Sequence, residues 1–445
     1  MIKNSSINQK TITAAFSTLR EHQWTQRQTN AEQRIAKLHK LRASISAHEA
    51  EIKNALYHDL HRSAEAVDQG DIAACYQEID DAIDNLATWM EPVEVETSPA
   101  FDNNRARVIY EAKGIVLLFG PWNFPFNLLF QPLTQIVSAG NCAIVKPNEL
   151  APHVSAISAR IIREVFDSRE VAVLEGDVDL ANALLELPVD HIFLTGSPAV
   201  GKLVMTAAAK NLASVTLELG GKNPVIIDKD ADTEEAAAKI AYTRGINSGQ
   251  VCLCPETVYV HIDQKDAFLT AAKATFEAAF YIDGELNQDA LGRIINERNL
   301  ARIQNYIEDA TSKGAELICG GQVCEQSLAV HPTILCDVPN DAVIQHEEVF
   351  GPILTIATYR DIKDVYGQIQ NQPKPLALYI FSNNDAFIED VLAHTSSGGV
   401  TVNNCIMHCA EQNLPFGGAN NSGIGRYHGI HGFKELSNER SILYM

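Results

Sequence analysis

The segment Asn247-Ser248-Gly249-Gln250-Val251-Cys252 places a cysteine just after a glycine-containing turn. A cysteine in such a turn can be exposed and activated as a nucleophile, because the thiolate is the reactive form and polar neighbours can stabilise it. Taken alone, a cysteine is more often a small buried apolar residue. The segment therefore suggests nucleophilic chemistry only if other residues of the right kind accompany it.

A second thiol, Cys254, raises the question of a metal site. Structural zinc usually needs two pairs of Cys or His ligands at short spacing. Cys319 and Cys324 are a poor match for the second pair, since they lie in intervening sequence. No metal site is predicted.

Two further polar groups could complete a nucleophilic site. In Glu218-Leu219-Gly220-Gly221-Lys222, a carboxylate precedes two glycines at the end of a predicted strand, where glycine allows close approach of the backbone. Asn123, in Pro121-Trp122-Asn123-Phe124-Pro125, follows another predicted strand, and its amide could donate to a developing oxyanion. Each segment alone would be an ordinary turn.

Two other segments could bind a cofactor. Lys146-Pro147-Asn148-Glu149 follows a predicted strand, and a lysine with a glutamate can hold ribose hydroxyls. Gly196 and Ser197 precede a predicted helix, whose free N–H groups could bind a phosphate. The spacing of Gly196 and Gly201 is G-x-x-x-x-G, which is neither the dinucleotide fingerprint G-x-G-x-x-G nor a P-loop, so it is a weak signal by itself.

The elements that position these segments alternate between strand and helix. Apolar runs predict strands at 114–119, 142–145, 171–174, 191–194 and 215–217, and helices are predicted near 128–139, 153–166, 179–187 and 199–209. This spacing predicts a parallel sheet that is covered on both faces. Because such sheets bind ligands at the carboxyl ends of their strands, the polar and glycine-rich segments should meet there.

A second α/β section is predicted from 219 to 402. Its strands are predicted at 225–227, 258–262, 353–357 and 376–381, and its helices near 233–245 and 265–279.

The first ~90 residues are predicted to be helical. Their apolar residues recur at helical spacings: Ile35, Leu38, Leu41, Ile45, Ile52 and Leu56. This apolar face either packs on the core or forms a coiled coil with a partner.

Composition excludes several classes of protein. The 445 residues include 35 Lys and Arg and 56 Asp and Glu, for a net charge of -21, which argues against nucleic acid or an anionic membrane as a partner. Apolar residues make up 46% and charged residues 20%, as in globular proteins. The nine cysteines, the polar start and the lack of ~20 consecutive apolar residues predict a cytoplasmic protein without a signal peptide, disulfide framework or membrane anchor.

The order of these segments resembles that of the aldehyde dehydrogenase superfamily, from about residue 10 to the C-terminus. The matching motifs are Pro121–Pro125, Lys146–Glu149, Gly196–Gly201, Glu218–Lys222, Asn247–Cys252 and Glu348-Val349-Phe350-Gly351-Pro352. The sequence is most similar to the class 3 branch, which includes bacterial coniferyl-aldehyde dehydrogenases. Motifs near the C-terminus carry this second resemblance: Ile406-Met407-His408, Pro415-Phe416-Gly417-Gly418 and Tyr427-His428-Gly429.

This resemblance implies an α/β fold of three parts. A Rossmann-like parallel-sheet domain that binds NAD or NADP would comprise 1–90 and 112–218, and an α/β catalytic domain would comprise 219–402. Small β bridging segments, 91–111 and 403–445, would mediate oligomerisation. A homodimer is expected, with a tetramer as the alternative.

The resemblance also implies catalytic roles. Cys252 would be the nucleophile, Asn123 would form an oxyanion hole with the backbone N–H of Cys252, and Glu218 would be the general base. The cofactor would contact a further set of residues: Lys146 and Glu149 at the adenine ribose, Gly196, Ser197 and Gly201 near the phosphates, and Glu348 and Phe350 at the nicotinamide. Cys254 and Pro198 depart from the pattern of many relatives but remove no group that the chemistry needs.

The implied reaction is the NAD(P)-dependent oxidation of an aldehyde, aromatic or medium-chain aliphatic, through a thiohemiacetal and a thioester on Cys252. A free thiol is only a few per cent thiolate near pH 7, so we expect the site to lower the pKa of Cys252. Two alternatives stay open, a cofactor-independent thiol esterase and a non-catalytic homologue. The choice of NAD or NADP also stays open, although Glu149 could disfavour a 2′-phosphate.

Overall fold

A computed structural model of the chain describes residues 9–445, so the first eight residues of the predicted cofactor domain lie outside the described part. The α-helices are α1 (Gln9–Arg27), α2 (Ala31–Ala47), α3 (Glu49–Leu60), α4 (Ala64–Val67), α5 (Ala73–Trp89), α6 (Asn127–Ser138), α7 (Pro152–Val165), α8 (Val178–Leu185), α9 (Pro198–Ala209), α10 (Thr233–Gly245), α11 (Lys265–Phe280), α12 (Gln288–Leu291), α13 (Glu297–Ser312), α14 (Ile362–Gln370), α15 (Asp385–His394) and α16 (Gly429–Glu435).

Within residues 9–445, the strands form three larger sheets and two small hairpins. They are β1 (Val93–Val95), β2 (Arg105–Ala112), β3 (Ile115–Phe119), β4 (Cys142–Lys146), β5 (Val171–Val173), β6 (His191–Gly196), β7 (Ser214–Leu219), β8 (Asn223–Ile227), β9 (Pro255–His261), β10 (Tyr281–Ile282), β11 (Glu285–Leu286), β12 (Glu316–Cys319), β13 (Val323–Cys324), β14 (Ala329–Val330), β15 (Thr333–Cys336), β16 (Ile353–Tyr359), β17 (Ala377–Phe381), β18 (Gly399–Val402), β19 (Gly423–Ile424) and β20 (Ser437–Tyr444).

The first sheet has the order β19-β7-β6-β3-β4-β5. Strands β3 to β7 are parallel, and only β19 runs antiparallel. Every residue of β3 and β4 is buried, because these apolar runs are covered by helices on both faces. The predicted parallel α/β sheet is confirmed, and its strand bounds differ from the predicted ones by one or two residues.

The second sheet has the order β12-β15-β16-β9-β8-β17-β18, and it is parallel apart from the edge strand β12. Strand β9 starts at Pro255, three positions before the predicted strand 258–262. Two of the three extra residues, Glu256 and Thr257, are polar but buried, and the Thr257 hydroxyl pairs with that of Thr355 at 3.0 Å. A period-two apolar pattern therefore missed them.

The third sheet joins the two predicted bridging segments. β2 pairs with β20 along its whole length, from Arg105 opposite Tyr444 to Ala112 opposite Ser437, and β1 pairs with the other edge of β2. The residues of β1 are all exposed. The predicted division into domains and bridging segments stays a prediction, since sheet membership alone does not test how the parts function.

The N-terminal helices pack on the chain's own core. Helices α1 to α5 confirm the predicted helical region. The side chains of Leu38, Leu41, Ile45, Ile52 and Leu56 are fully buried against the helices and strands of the first sheet. Their apolar face is therefore used within this chain, which disfavours the coiled-coil alternative.

Candidate active site

The carboxyl ends of the first sheet's parallel strands bring four of the predicted segments to one edge. Phe119, the last residue of β3, lies opposite Lys146 on β4 and Leu194 on β6. Thr195 on β6 lies opposite Glu218 on β7. The motifs that begin at Pro121, Lys146, Gly196 and Glu218 thus emerge side by side, as the rule for parallel sheets predicts.

Cys252 follows a turn of unusual backbone conformation. After α10, three consecutive residues are left-handed: Asn247 (φ 52°), Ser248 (φ 54°) and Gly249 (φ 70°). A Cβ on Gly249 would lie 2.3 Å from the Gly351 carbonyl oxygen, so only glycine fits there. This turn ends in the partly exposed Cys252.

Side-chain amides connect this turn to the Asn123 segment. The Asn247 amide donates to the Asn123 carbonyl at 2.9 Å, and the Asn123 amide donates to the Gln250 carbonyl at 3.0 Å. The Gln250 amide in turn donates to the Asn247 and Arg293 carbonyls, both at 2.9 Å. We call residues 247–252 the cysteine turn. Asn123 and the cysteine turn are far apart in sequence, yet they form one buried hydrogen-bonded unit.

Two residues that sequence analysis missed hold the backbone on the other side of Cys252. The Asn223 amide donates to the Cys252 carbonyl at 2.7 Å and to the Cys254 carbonyl at 3.0 Å. The Tyr379 hydroxyl donates to the Leu253 carbonyl at 2.5 Å. The one signal in the sequence is that Asn223 is a polar residue opening an otherwise apolar strand, while Tyr379 looks like an ordinary core residue.

Glu218 is a buried carboxyl without a partner. It is 4% exposed, and among the described residues neither of its side-chain oxygens has a hydrogen-bond partner. Burial raises the pKa of Glu218 well above its ordinary value, and the nearby positive charge of Arg426 only partly opposes this shift. Such a carboxyl can hold a proton near neutral pH.

Glu348 lies in the same region, packed on the glycine pair that follows Glu218. A Cβ on Gly220 would lie 2.0 Å from Glu348 Oε2, so this glycine makes room for the carboxyl. Glu348 Oε1 is buried, and no donor within residues 9–445 pairs with it. Burial and the negative charge of Glu256 raise the pKa of Glu348 to about 8. The Arg302 guanidinium supports this segment by donating to the Val349 carbonyl at 2.8 Å.

The side chains around Cys252 do not lower the pKa of its thiol. Burial raises that pKa well above the ordinary value, and the negative charges of Glu348 and Glu218 raise it further. These side chains therefore do not produce the expected lowering of the Cys252 pKa, and the role of Cys252 as the nucleophile stays a prediction. The sequence singles out Cys252, Glu218 and Glu348. It does not show that the two carboxyls lie close enough to the thiol to affect its pKa.

Cys254 differs sharply from Cys252, two positions away. It is 1% exposed, its thiol donates to the Thr243 carbonyl at 3.5 Å, and burial raises its pKa to about 12.

Among residues 9–445, no three His, Cys, Asp or Glu side chains are grouped as a metal site would need. No helix in that range is long and apolar enough to cross a membrane.

The lysine and glutamate after β4 are paired with each other. Lys146 Nζ lies 2.6 Å from Glu149 Oε2 and donates to the Pro147 carbonyl at 3.2 Å. Lys146 is buried and Glu149 is exposed, so the pair lies at the rim of the sheet edge. Its two polar groups are oriented before any ligand binds.

The glycine-rich segment after β6 caps a helix. The Ser197 hydroxyl accepts from the Val200 backbone N–H at 3.4 Å, which makes Ser197 the N-cap of α9. A Cβ on Gly201 would lie 2.9 Å from Leu219, so this glycine allows the helix to pack closely on β7. Gly196 ends β6 at the same edge.

Aromatic side chains link the remaining segments. The rings of Trp122 and Phe350 meet edge to face at 5.3 Å, and Phe350 has a left-handed backbone (φ 46°). Phe124 lies under the guanidinium of Arg62, 4.5 Å from the ring centre. The structure thus brings the Asn123 segment into contact with the Glu348 segment.

The comparisons with known proteins agree with this architecture. The model of the aldehyde dehydrogenase family matches residues 1–442, and the chain belongs to this family. A solved structure of Staphylococcus aureus AldH in a substrate-bound state superposes with a TM-score of 0.93 at 35% identity, over 98% of this chain and 94% of that one. The predicted fold class is confirmed.

Two relatives indicate the branch of the family to which the chain is most similar. A Caulobacter vibrioides protein named "Probable coniferyl aldehyde dehydrogenase" is 37% identical over 93% of this chain and 87% of its own length. The Rattus norvegicus "Aldehyde dehydrogenase, dimeric NADP-preferring" is 38% identical over 92% and 89%. The predicted branch is confirmed, and the chain is an NAD(P)-dependent oxidoreductase that oxidises aldehydes.

The raised pKa of Cys252 predicts how its thiol reacts with iodoacetamide. Cys252 should be alkylated slowly at pH 7 and faster as the pH rises, because little thiolate is present at neutral pH. Cys324 should be alkylated first, since Ser327 hydrogen bonds lower its pKa. Glu348→Gln removes a carboxyl whose pKa is about 8, so it should speed alkylation of Cys252 at pH 9, where Glu348 is charged, and much less at pH 7. Peptide mapping by mass spectrometry measures each site.

The matched control is Glu347→Gln, which removes an exposed acid at the adjacent position. It should leave the alkylation rate of Cys252 unchanged. Equal rates at pH 9 in the Glu348→Gln variant and the unaltered protein would contradict the electrostatic account.

Proposed function

We propose that Cys252 is the nucleophile of this aldehyde dehydrogenase, that Asn123 donates to the developing oxyanion, and that Glu218 is the base for hydrolysis of the thioester. The observation that carries this proposal is the hydrogen-bonded unit of Asn123 and the cysteine turn, together with the charge of Glu218 acting on Cys252. It supplies a nucleophile, an amide donor and a base within one site.

The first half-reaction uses Cys252 and Asn123. The Cys252 thiol gives up its proton, and its sulfur adds to the aldehyde carbon while the carbonyl electron pair moves to oxygen. The proton passes to solvent at the partly exposed Cys252, so this step does not need Glu218. Asn123 gives one N–H to Gln250, which leaves its second N–H for the oxyanion, a donor typically worth ~3–4 kcal/mol.

The cofactor fits the residues present. Lys146 and Glu149 are paired at a strand end, where they would hold the adenine ribose, and Gly196, Ser197 and Gly201 would lie near the phosphates. Glu348 Oε1 is buried without a donor, so it could accept from a hydroxyl at the nicotinamide end, beside Phe350. Bound NAD(P)⁺ supplies the hydride acceptor.

The second half-reaction uses Glu218. Once the acyl group is a thioester on Cys252, a water oxygen attacks the acyl carbon and Glu218 accepts the proton. The carbon–sulfur bond then breaks, which releases the carboxylic acid and restores Cys252. A base with a higher pKa removes a proton from water more readily, but only the deprotonated form of Glu218 can act, so this step should become faster as the pH rises.

The proposed substrates are aromatic or medium-chain aliphatic aldehydes. The partly exposed rings of Trp122 and Phe350 support this class, and so does the relative named for coniferyl aldehyde. Benzaldehyde represents the aromatic class and hexanal the aliphatic one.

Glu218→Gln should separate the two half-reactions. It keeps the shape of the side chain and removes the base, which typically slows the affected step ~10²–10⁴-fold. A rapid burst of about one reduced cofactor per active site should precede slow turnover, and intact mass should show the acyl group on Cys252. Stopped-flow absorbance of reduced nicotinamide measures the burst.

Cys252→Ser is the control for this experiment and should abolish the burst, while Cys254→Ser should keep most of the activity. Normal steady-state turnover in Glu218→Gln would remove Glu218 from the mechanism. Acid formed without reduced cofactor would favour a thiol esterase.

Glu149→Gln should shift cofactor preference toward NADP, because it removes a negative charge that would repel a 2′-phosphate. The shift in the ratio of kcat/KM values should be a few-fold, as expected when an exposed pair of charges is worth about 0.2–1 kcal/mol. Glu175→Gln, an exposed acid after the neighbouring strand, is the control. Equal changes with both cofactors, or none, would contradict the proposed contact.

We propose a homodimer formed through the third sheet. Val93, Val95 and Leu443 are 49%, 44% and 46% exposed on this sheet, and the rat relative is named as dimeric. Light scattering at micromolar concentration should give twice the mass of one chain, and Val95→Glu should reduce it toward one chain. Ile282→Glu, on the separate β10–β11 hairpin, should not change the mass. A monomer or a tetramer of the unaltered protein would contradict the proposal.

The proposed location is the cytoplasm. All nine cysteines are free, and they are scattered over the chain. Scattered free thiols are typical of proteins in a reducing compartment.

A further inference from the structure

The motif Tyr427-His428-Gly429 takes no part in the mechanism above, yet its residues are buried. His428 Nδ1 lies 2.5 Å from Glu78 Oε2. Glu78, on α5, is fully buried, and its Oε1 accepts from the Gly429 backbone N–H at 3.1 Å and from the Gln135 side chain. A carboxylate with three donors is a strong anchor, because hydrogen bonds to charged groups are the strong ones.

This anchor fixes the two ends of the loop 416–428. The Tyr427 ring stacks on His428 at 4.2 Å and meets the Phe193 ring edge to face at 5.3 Å. The backbones of Tyr427 and Phe416 exchange two hydrogen bonds, of 2.8 and 3.1 Å. The two ends of the loop therefore lie side by side, and the contact between Glu78 and His428 holds them there.

The loop 416–428 encloses the carboxyl of Glu218. A Cβ on Gly417 would lie 3.0 Å from Glu218 Oε1, and Gly423 pairs with Glu218 in the sheet. The positive charge of Arg426 acts on Glu218, and Arg426 donates to the Gly418 carbonyl at 2.5 Å. Since Glu218 has no hydrogen bond of its own among the described residues, the packing of this loop limits the space open to its carboxyl.

We infer that Glu78 is a positioning residue for the reaction, which acts through His428 and Tyr427 to hold the loop 416–428 against Glu218. Glu78 itself does not touch the reacting atoms. Glu78→Gln removes the charge and replaces one of the two acceptor oxygens with an NH2 donor, so a donor at the loop end loses its partner and the loop is held less firmly against Glu218. The effect should fall on thioester hydrolysis, the step that needs the base. This inference rests on the proposed role of Glu218.

Glu78→Gln tests the inference through a split between the two half-reactions. The burst of reduced cofactor with benzaldehyde should stay near one per active site, while steady-state turnover falls roughly 10- to 100-fold, the loss expected for one charged hydrogen bond. The matched control is Asp84→Asn, which removes an exposed acid from the same helix and should leave both values unchanged. Unchanged turnover in Glu78→Gln, or a burst that falls in proportion to turnover, would overturn the inference.

A second pair of variants keeps the test independent of whether Glu78→Gln folds. Tyr427→Leu removes the ring that stacks on His428 and should give the same slow turnover with an intact burst. Tyr427→Phe keeps the ring and should restore turnover close to that of the unaltered protein. If Tyr427→Leu turns over normally, the loop does not depend on this stack and the inference fails.

The double variant Glu78→Gln/Glu218→Gln distinguishes this inference from the proposed function. If Glu78 acts through Glu218, the double variant should turn over no more slowly than Glu218→Gln alone. Independent losses that multiply would overturn the inference. Normal turnover in Glu218→Gln would refute the base assignment itself, whereas slow Glu218→Gln with normal Glu78→Gln would refute only the role of Glu78.

Discussion

The site depends on three successive left-handed residues before Cys252 and on the hydrogen bonds that hold them. Left-handed backbone costs a non-glycine residue roughly 1–2 kcal/mol, and Asn247 and Ser248 both adopt it. The conformation persists because the Asn247 and Gln250 side chains satisfy buried carbonyls around it. Gly249 completes the turn against the Gly351 carbonyl, where no side chain fits. Strain of this kind is typical of functional sites.

The same turn connects the two sheets. Side-chain amide hydrogen bonds join this turn to the Asn123 segment, which follows a strand of the first sheet. Gly249 packs on the Glu348 segment, which precedes a strand of the second sheet. The edge-to-face contact of Trp122 and Phe350 joins those segments directly. A displacement of either sheet would therefore alter the distance between the amide donor and the sulfur.

Electrostatics in the site follow from burial. Cys252, Glu218 and Glu348 all have raised pKa values, because each loses solvation on burial, and for Cys252 the ionised forms of the two carboxyls would add negative charge near the thiolate. A buried site that holds its protons avoids the cost of several unpaired charges in a medium of low polarity. The titration of the Cys252 thiol is therefore linked to that of the two carboxyls.

The sequence by itself determined that the motifs follow successive parallel strands and hence that they meet at one edge of the sheet. Apolar runs of β-branched residues predict parallel strands, and the carboxyl ends of such strands lie side by side whatever the loops do. The residues after these strands, Asn123, Lys146, Gly196 and Glu218, could therefore be grouped without coordinates. Cys252 could be singled out because its glycine-containing turn and the other motifs occur together in one family.

Only the tertiary structure decided which groups surround these residues. Glu78 and His428 are 350 positions apart, and Asn223 contacts a carbonyl 29 positions away, so no local pattern reveals either contact. Cys252 and Cys254 look alike in sequence, yet one is partly exposed and the other is sealed in the core. The direction of the Cys252 pKa shift likewise depends on burial and on two distant carboxyls. These properties are set by long-range packing, whereas the sequence pattern reports mainly on neighbours within one helix or strand.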